Sequence, residues 1–88
     1  MKKIIEKSKF FKALGDPVRL QIINYLLNRQ FPVCICNLSK VINKDQSVVF
    51  RHVQLLVAAR IVNTKKDNKF LMCSIQNKAK IKNLIDLR

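Results

Sequence analysis

The chain has 88 residues, and its 18 Lys and Arg against 5 Asp and Glu leave a formal net charge of +13. At 10.3 kDa it holds one domain, 1–88, able to bury roughly 64% of its unfolded surface around a small core. An apolar content of 49% excludes a disordered basic tail, and one His without any carboxylate cluster argues against hydrolytic or acid–base catalysis, so no enzyme is expected.

One Gly and two Pro leave few turns, which favours a mainly α chain. Ile4, Ile5, Phe10, Phe11 and Leu14 predict a first amphipathic helix ending near Gly15. Asp16-Pro17 is a restart, with Asp suited to the N-cap and Pro to the first helical position. The helix that follows carries Val18, Leu20, Ile22, Ile23, Tyr25, Leu26 and Leu27. Only Gln21, Asn24 and Asn28 remain as a polar stripe, the pattern of a central core helix. Phe31-Pro32 breaks it.

Ile35, Leu38, Val41 and Ile42 recur at helical spacing and predict a short third helix over 34–41. Asn43-Lys44-Asp45 is a turn, and Asp45 is the expected N-cap of a fourth helix, 45–59. Within it Val49, Val53 and Leu56 should face the core, leaving Ser47, Val48, Phe50, Arg51 and Gln54 outside. The period then changes. Residues 61–65 and 70–75 predict two strands joined across Asp67-Asn68, residues that tolerate positive φ. A last helix over 77–87 has Ile81, Leu84 and Ile85 as its apolar stripe, with Lys78, Lys80 and Lys82 opposite. The predicted order is α-α-α-α-β-β-α.

The surplus charge is shared: residues 1–44 carry 9 basic and 2 acidic groups, and residues 45–88 carry 9 and 3. A folded domain with pI near 10.3 points to a polyanion. Residues 55–59, the longest apolar run, are too few to span a bilayer, and the first residues do not form a secretory signal. The expectation is a cytoplasmic protein without membrane contact, its three Cys mostly reduced thiols.

Two helices joined by a tight turn and followed by a hairpin make a winged helix-turn-helix. Its second helix, 45–59, would lie in the major groove of double-stranded DNA while the wing, 61–75, meets the backbone. Gln46, Ser47, Val48, Phe50 and Arg51 are the expected readers: Gln pairs with adenine, Arg with guanine, and Val touches a thymine methyl. Lys44, Arg60, Lys65, Lys66 and Lys69 would contact phosphates. A solvated polar face and a lysine-blunted hairpin edge are the bland alternative, against which the charge excess weighs. An architectural binder without sequence preference, or a protein-docking winged helix using Val48 and Phe50, are the rival functions. The stripes of Ile4, Ile5, Phe11, Ile81, Leu84 and Ile85 exceed what so small a monomer covers easily, which predicts a homodimer. Alternatively they complete the monomer core.

The run Ala13-Leu14-Gly15-Asp16-Pro17-Val18-Arg19-Leu20-Gln21-Ile22-Ile23 resembles the opening motif of the ArsR/SmtB family of winged-helix repressors. The likeness continues through Val33-Cys34-Ile35-Cys36-Asn37-Leu38, residues 46–56 and Ala59-Arg60-Ile61-Val62, covering about 11–75 in order. The resemblance implies a homodimeric transcriptional repressor of bacterial or archaeal type on an inverted-repeat operator, dimerised through its first and last helices. Two departures stand out: Phe50 where the family usually has Ser, and Arg60 where it usually has Gly.

In metal- and metalloid-sensing members a Cys-x-Cys pair at this position binds soft ions, and Cys34-Ile35-Cys36 matches it. Residues two apart on a regular helix diverge by about 200°, so both sulfurs reach one ion only if Cys34 stands outside the helix or its start frays. Ser39 occupies the place of a further Cys in some sensors, Cys73 lies on the wing strand with no sequence reason to be near, and Asp86 is alone. No cofactor is assigned beyond a candidate soft metal or metalloid ion at Cys34 and Cys36. Packing or a redox role are the other readings of the pair. His52, the single His, is expected to brace its helix or a phosphate.

Overall fold

The computed structural model describes residues 2–85, apart from the side chains of residues 2, 3, 5, 6 and 85. Its helices are α1 (Lys2–Leu14), α2 (Pro17–Leu27), α3 (Ile35–Ile42), α4 (Gln46–Ala58) and α5 (Lys78–Ile85). Its strands are β1 (Val33–Cys34), β2 (Val62–Asp67) and β3 (Phe70–Ile75), in an antiparallel sheet of order β1-β3-β2.

Local chemistry explains the boundaries. Asp16 Oδ1 accepts the N–H of Val18 at 2.8 Å and of Arg19 at 3.2 Å, while Pro17 takes the position that needs no donor. Burial acts to raise the Asp16 carboxyl pKa, but those two N–H groups and the charge of Arg19 outweigh it and hold it low. α3 ends on Asn43 at φ 61°, a left-handed position that Asn accepts readily. The N–H of Lys44 then closes onto Ser39 O at 3.1 Å, making the corner that turns the chain into α4. Asp45 stands at the N-cap of α4 as expected, yet its side chain makes no capping bond; its carbonyl accepts from Val48 and Val49 at 3.0 Å each.

The core lies between the helices and one sheet face. Ile22, Ile23 and Leu26 of α2 meet Leu38 of α3, and Val49, Val53 and Leu56 of α4 pack with Ile61, Val62 and Cys73. Each large aliphatic side chain buried there stabilises the fold by roughly 1.5–3 kcal/mol. The three α4 residues named from spacing are fully buried.

Four expectations need correction. Strand β1 was absent from the predicted order; two residues are too few to carry a period, and it forms because Val33 and Cys34 pair with Cys73 and Met72 of β3. The wing turn falls one residue later than Asp67-Asn68, since Asp67 still pairs with Phe70 and Asn68 takes φ 55°. The apolar girth of α2 is narrower than its composition suggests, with Leu20 exposed and Val18, Tyr25 and Leu27 half-buried. Ile81, expected on a dimer stripe, is 2% exposed and belongs to the monomer core.

Candidate nucleic-acid interface

The outward face of α4 presents Gln46, Ser47, Phe50, Arg51 and Gln54, all exposed, on neighbouring turns opposite the core residues. Val48 differs from expectation: it is half-buried. No acidic residue lies in the first turn of α4, whose N-cap is the exposed Asp45, preceded by exposed Lys44.

α4 runs into the wing through a tight C-terminal lock. The N–H of Arg60 bonds Val57 O at 3.0 Å and that of Ile61 bonds Leu56 O at 2.9 Å, the paired bonds of a Schellman motif. Arg60 occupies its left-handed position at φ 61°, where glycine is favoured, and its side chain is exposed. Lys65, Lys66 and Lys69 are exposed as well. Because Lys65 and Lys66 are adjacent on β2, they point to opposite faces of the wing. Phe70 adds an exposed ring at the tip, with Lys69 Nζ 5.7 Å from its centroid.

A second surface lies at the chain ends. Ile4, Phe11 and Leu84 are exposed. Phe11 and Leu84 line one groove with Phe10, Ala59, Arg60 and Lys80, and the Phe10 and Phe11 rings meet edge to face at 5.5 Å. The structure therefore brings the apolar stripes of α1 and α5 together, without Ile81. The Ile5 and Ile85 side chains lie outside the described residues.

The Cys34 and Cys36 sulfurs are placed as a disulfide pair, with Cα atoms 5.2 Å apart. Cys34 stands outside the helix, the condition under which both sulfurs can meet: it ends β1 with extended angles and serves as N-cap of α3. Cys73 lies in the strand beside Cys34, but in register with Val33, so the pleat turns its thiol to the opposite, buried face. Burial pushes that thiol up to about 11. Among the described residues no three His, Cys, Asp or Glu side chains converge, so this chain offers two sulfurs where zinc-type sites take three or four protein ligands.

Sequence reasoning missed Arg19. Its Nε donates to Ala13 O at 2.7 Å, Nη2 to Lys12 O at 3.3 Å and Nη1 to His52 Nδ1 at 3.2 Å. Its place in the Asp16-Pro17-Val18-Arg19 run was the one available signal, since partners far along the chain leave no local trace. His52 thus braces α4 as expected, through an arginine.

The helix-turn-helix, the cationic wing and the polar outer face of α4 define a class, that of winged-helix transcriptional regulators rather than enzymes. The family model described as "Bacterial regulatory protein, arsR family" matches residues 16–64, and the chain belongs to that family. It is 34% identical over 67 residues to an uncharacterised HTH-type transcriptional regulator of Methanocaldococcus jannaschii, covering 76% of this chain and 74% of the relative. It is 32% identical over 80 residues to the cadmium resistance transcriptional regulatory protein CadC of Listeria innocua, covering 91% of this chain and 66% of CadC. Among solved structures, HlyU from Vibrio cholerae superposes with a TM-score of 0.81 at 27% identity, over 98% of this chain and 95% of that one.

Proposed function

We propose that the protein is a homodimeric, sequence-specific repressor that binds an inverted-repeat operator. Segment 45–59 enters the major groove and the wing, 61–75, lies on the backbone. Gln46, Ser47, Phe50 and Arg51 meet base edges, with Val48 at the margin, and Lys44, Arg60, Lys65, Lys66 and Lys69 meet phosphates. The observation that carries this reading is the exposed polar outer face of α4, Gln46, Ser47, Phe50, Arg51 and Gln54, in a chain of net charge +13. Dimerisation through α1 and α5, around Phe11 and Leu84, would set two such helices about one DNA turn apart. A cytoplasmic location belongs to the same proposal; among the described residues no helix is long and apolar enough to cross a membrane.

Selection of duplexes from a random pool tests it, with reduced protein, excess competitor and near-physiological salt, because charge alone binds tightly at low salt. An inverted repeat supports the reading. Binding without a motif favours an architectural role, and no binding turns Phe50 and Val48 into a protein-docking face. Arg51→Ala should weaken binding and relax preference at one base position.

The Cys34–Cys36 disulfide favours a redox input. Two thiols become one disulfide, passing two electrons and two protons to a peroxide or disulfide oxidant. A soft metal or metalloid ion at the same two sulfurs is the other input, consistent with the name of the cadmium regulator. Titrating the reduced protein with zinc, cadmium or arsenite separates them: no binding below millimolar ends the ion reading. Equal operator affinity of reduced and oxidised protein ends the redox one.

A further inference from the structure

Arg19 gathers three elements onto one guanidinium. Nε and Nη2 take the carbonyls of Ala13 and Lys12 in the last turn of α1, and Nη1 reaches His52 Nδ1 on α4. A guanidinium has no acceptor atom, so Nδ1 accepts on its lone pair and the ring proton sits on Nε2. Arg19 is itself fixed at the start of α2, because Asp16 holds its backbone N–H at 3.2 Å. Asp16, Arg19 and His52 are all half-buried, and none belongs to the outer face of α4.

We propose that Arg19 and His52 are a positioning pair that fixes the angle of α4 against α1 and thereby sets how the two recognition helices of a dimer fit one operator. The proposal rests on the reading of α4 as the DNA-reading helix and α1 as a dimer helix. Two half-sites impose one spacing on two copies of α4, and α1 is where each copy meets the other. Slack between α1 and α4 therefore appears as misfit at the second half-site.

The pair works only with a neutral ring. A doubly protonated imidazole has two donors and no acceptor, and it would face the guanidinium as a second cation. Beside the pair stands Asp16, the N-cap of α2, whose carboxylate feels both Arg19 and His52, while Lys9 and Lys12 of α1 line a cavity with Arg19. Leu55 and Ala58 of α4, which carry no charge, line the same cavity. Since His52 is the only histidine, acidification across the range where histidines titrate probes this pair with little interference. The sign is diagnostic. Losing the pair weakens DNA binding in acid, whereas a His52–phosphate contact would strengthen it.

The experiment measures affinity of the full-length, reduced protein for the selected inverted repeat from pH 8 down to pH 5 at constant salt. Wild type, His52→Asn and Arg19→Gln are compared, with dimer mass by sedimentation and helix content by circular dichroism. Wild type should weaken about 2- to 30-fold on acidification, the span expected for a coupling of this kind. His52→Asn sets an amide oxygen where Nδ1 stands, so it should hold the pH 8 affinity and lose the pH dependence. Arg19→Gln should be weakened at pH 8 by a similar factor with an unchanged salt slope, because an arginine on a phosphate would take about one unit from that slope. Affinity rising in acid, a flat wild-type profile, or Arg19→Gln equal to wild type overturns the pairing. Failure of wild type to select any duplex is a different result and removes the DNA-reading premise with it. If Arg19→Gln does not fold, Arg19→Lys, which keeps the charge and loses the fork, and the His52→Asn profile decide.

Discussion

Arg60 carries a cost that a single substitution can release. It sits at φ 61°, in the position after the C-cap of α4 where Cβ crowds the carbonyl and glycine is favoured. The left-handed conformation costs a residue with a Cβ about 1–2 kcal/mol. Glycine removes that cost but returns about 0.4–1 kcal/mol through the greater freedom of its unfolded chain. The two bonds of the motif, Arg60 N–H to Val57 O and Ile61 N–H to Leu56 O, are main-chain bonds and survive the change. The hydrophobic contact that accompanies them survives too, since Leu56 and Ile61 are both fully buried. Arg60→Gly should therefore stabilise the protein by about 0.5–1 kcal/mol, raising Tm by about 2–8 °C in a domain of this size. Arg60→Ala keeps a Cβ and should gain almost nothing. Differential scanning calorimetry on the three proteins reads the effect. A Tm for Arg60→Gly equal to or below wild type, or an equal gain in Arg60→Ala, would refute the conformational argument. If Arg60 also meets a phosphate, the glycine variant should lose about one unit of salt slope on DNA.

Phe11→Glu should give a folded monomer at micromolar concentration by sedimentation, because Phe11 is 59% exposed and its groove partner Leu84 is reached without opening the core; a persisting dimer places the interface elsewhere. Cys73 has a folded pKa near 11, above the ordinary thiol value near 8.5, so the stability tied to its neutral form is complete below about pH 8.5 and is lost as pH rises toward 11. Urea unfolding should show the advantage of wild type over Cys73→Ala shrinking by about 2–3 kcal/mol between pH 8 and pH 11; a constant gap contradicts the burial argument. Gly15→Ala should be neutral or stabilise by up to about 1 kcal/mol, because an added Cβ would lie 3.4 Å from Lys12 O and 3.7 Å from Phe11 O, ordinary contacts; a lowered Tm would show that the α1–α2 corner needs glycine.

What the sequence made legible was the part governed by neighbours. Asp16-Pro17 fixes the start of α2 through bonds two and three residues away, and the spacing of Val49, Val53 and Leu56 fixes the buried face of α4 within one helix. The exposed faces followed by subtraction, so Gln46, Ser47, Phe50 and Arg51 were found where they stand. Contacts between distant segments left no such trace. Strand β1 exists only because β3 offers it an edge, and Ile81 reads as surface until the core it completes is in place. The cysteine pair stayed conditional for a related reason. The 200° argument is sound inside a helix, but whether Cys34 lies inside depends on its pairing with Met72.

The two departures from the family pattern act together on how DNA would be held. Phe50 puts an exposed ring where the family usually has a hydroxyl, which on the proposed reading would forfeit one polar contact to a base or phosphate. Arg60 accepts a strained backbone and gains a cation between the end of α4 and the wing. Polar base readout loses a donor while phosphate attraction gains one, on a chain that already carries +13. Counterion release then makes a larger share of the binding energy, and that share falls as log salt rises. On the proposed reading Arg51 is left as a main source of base discrimination on α4, so its loss should relax specificity more than loss of Arg60 does.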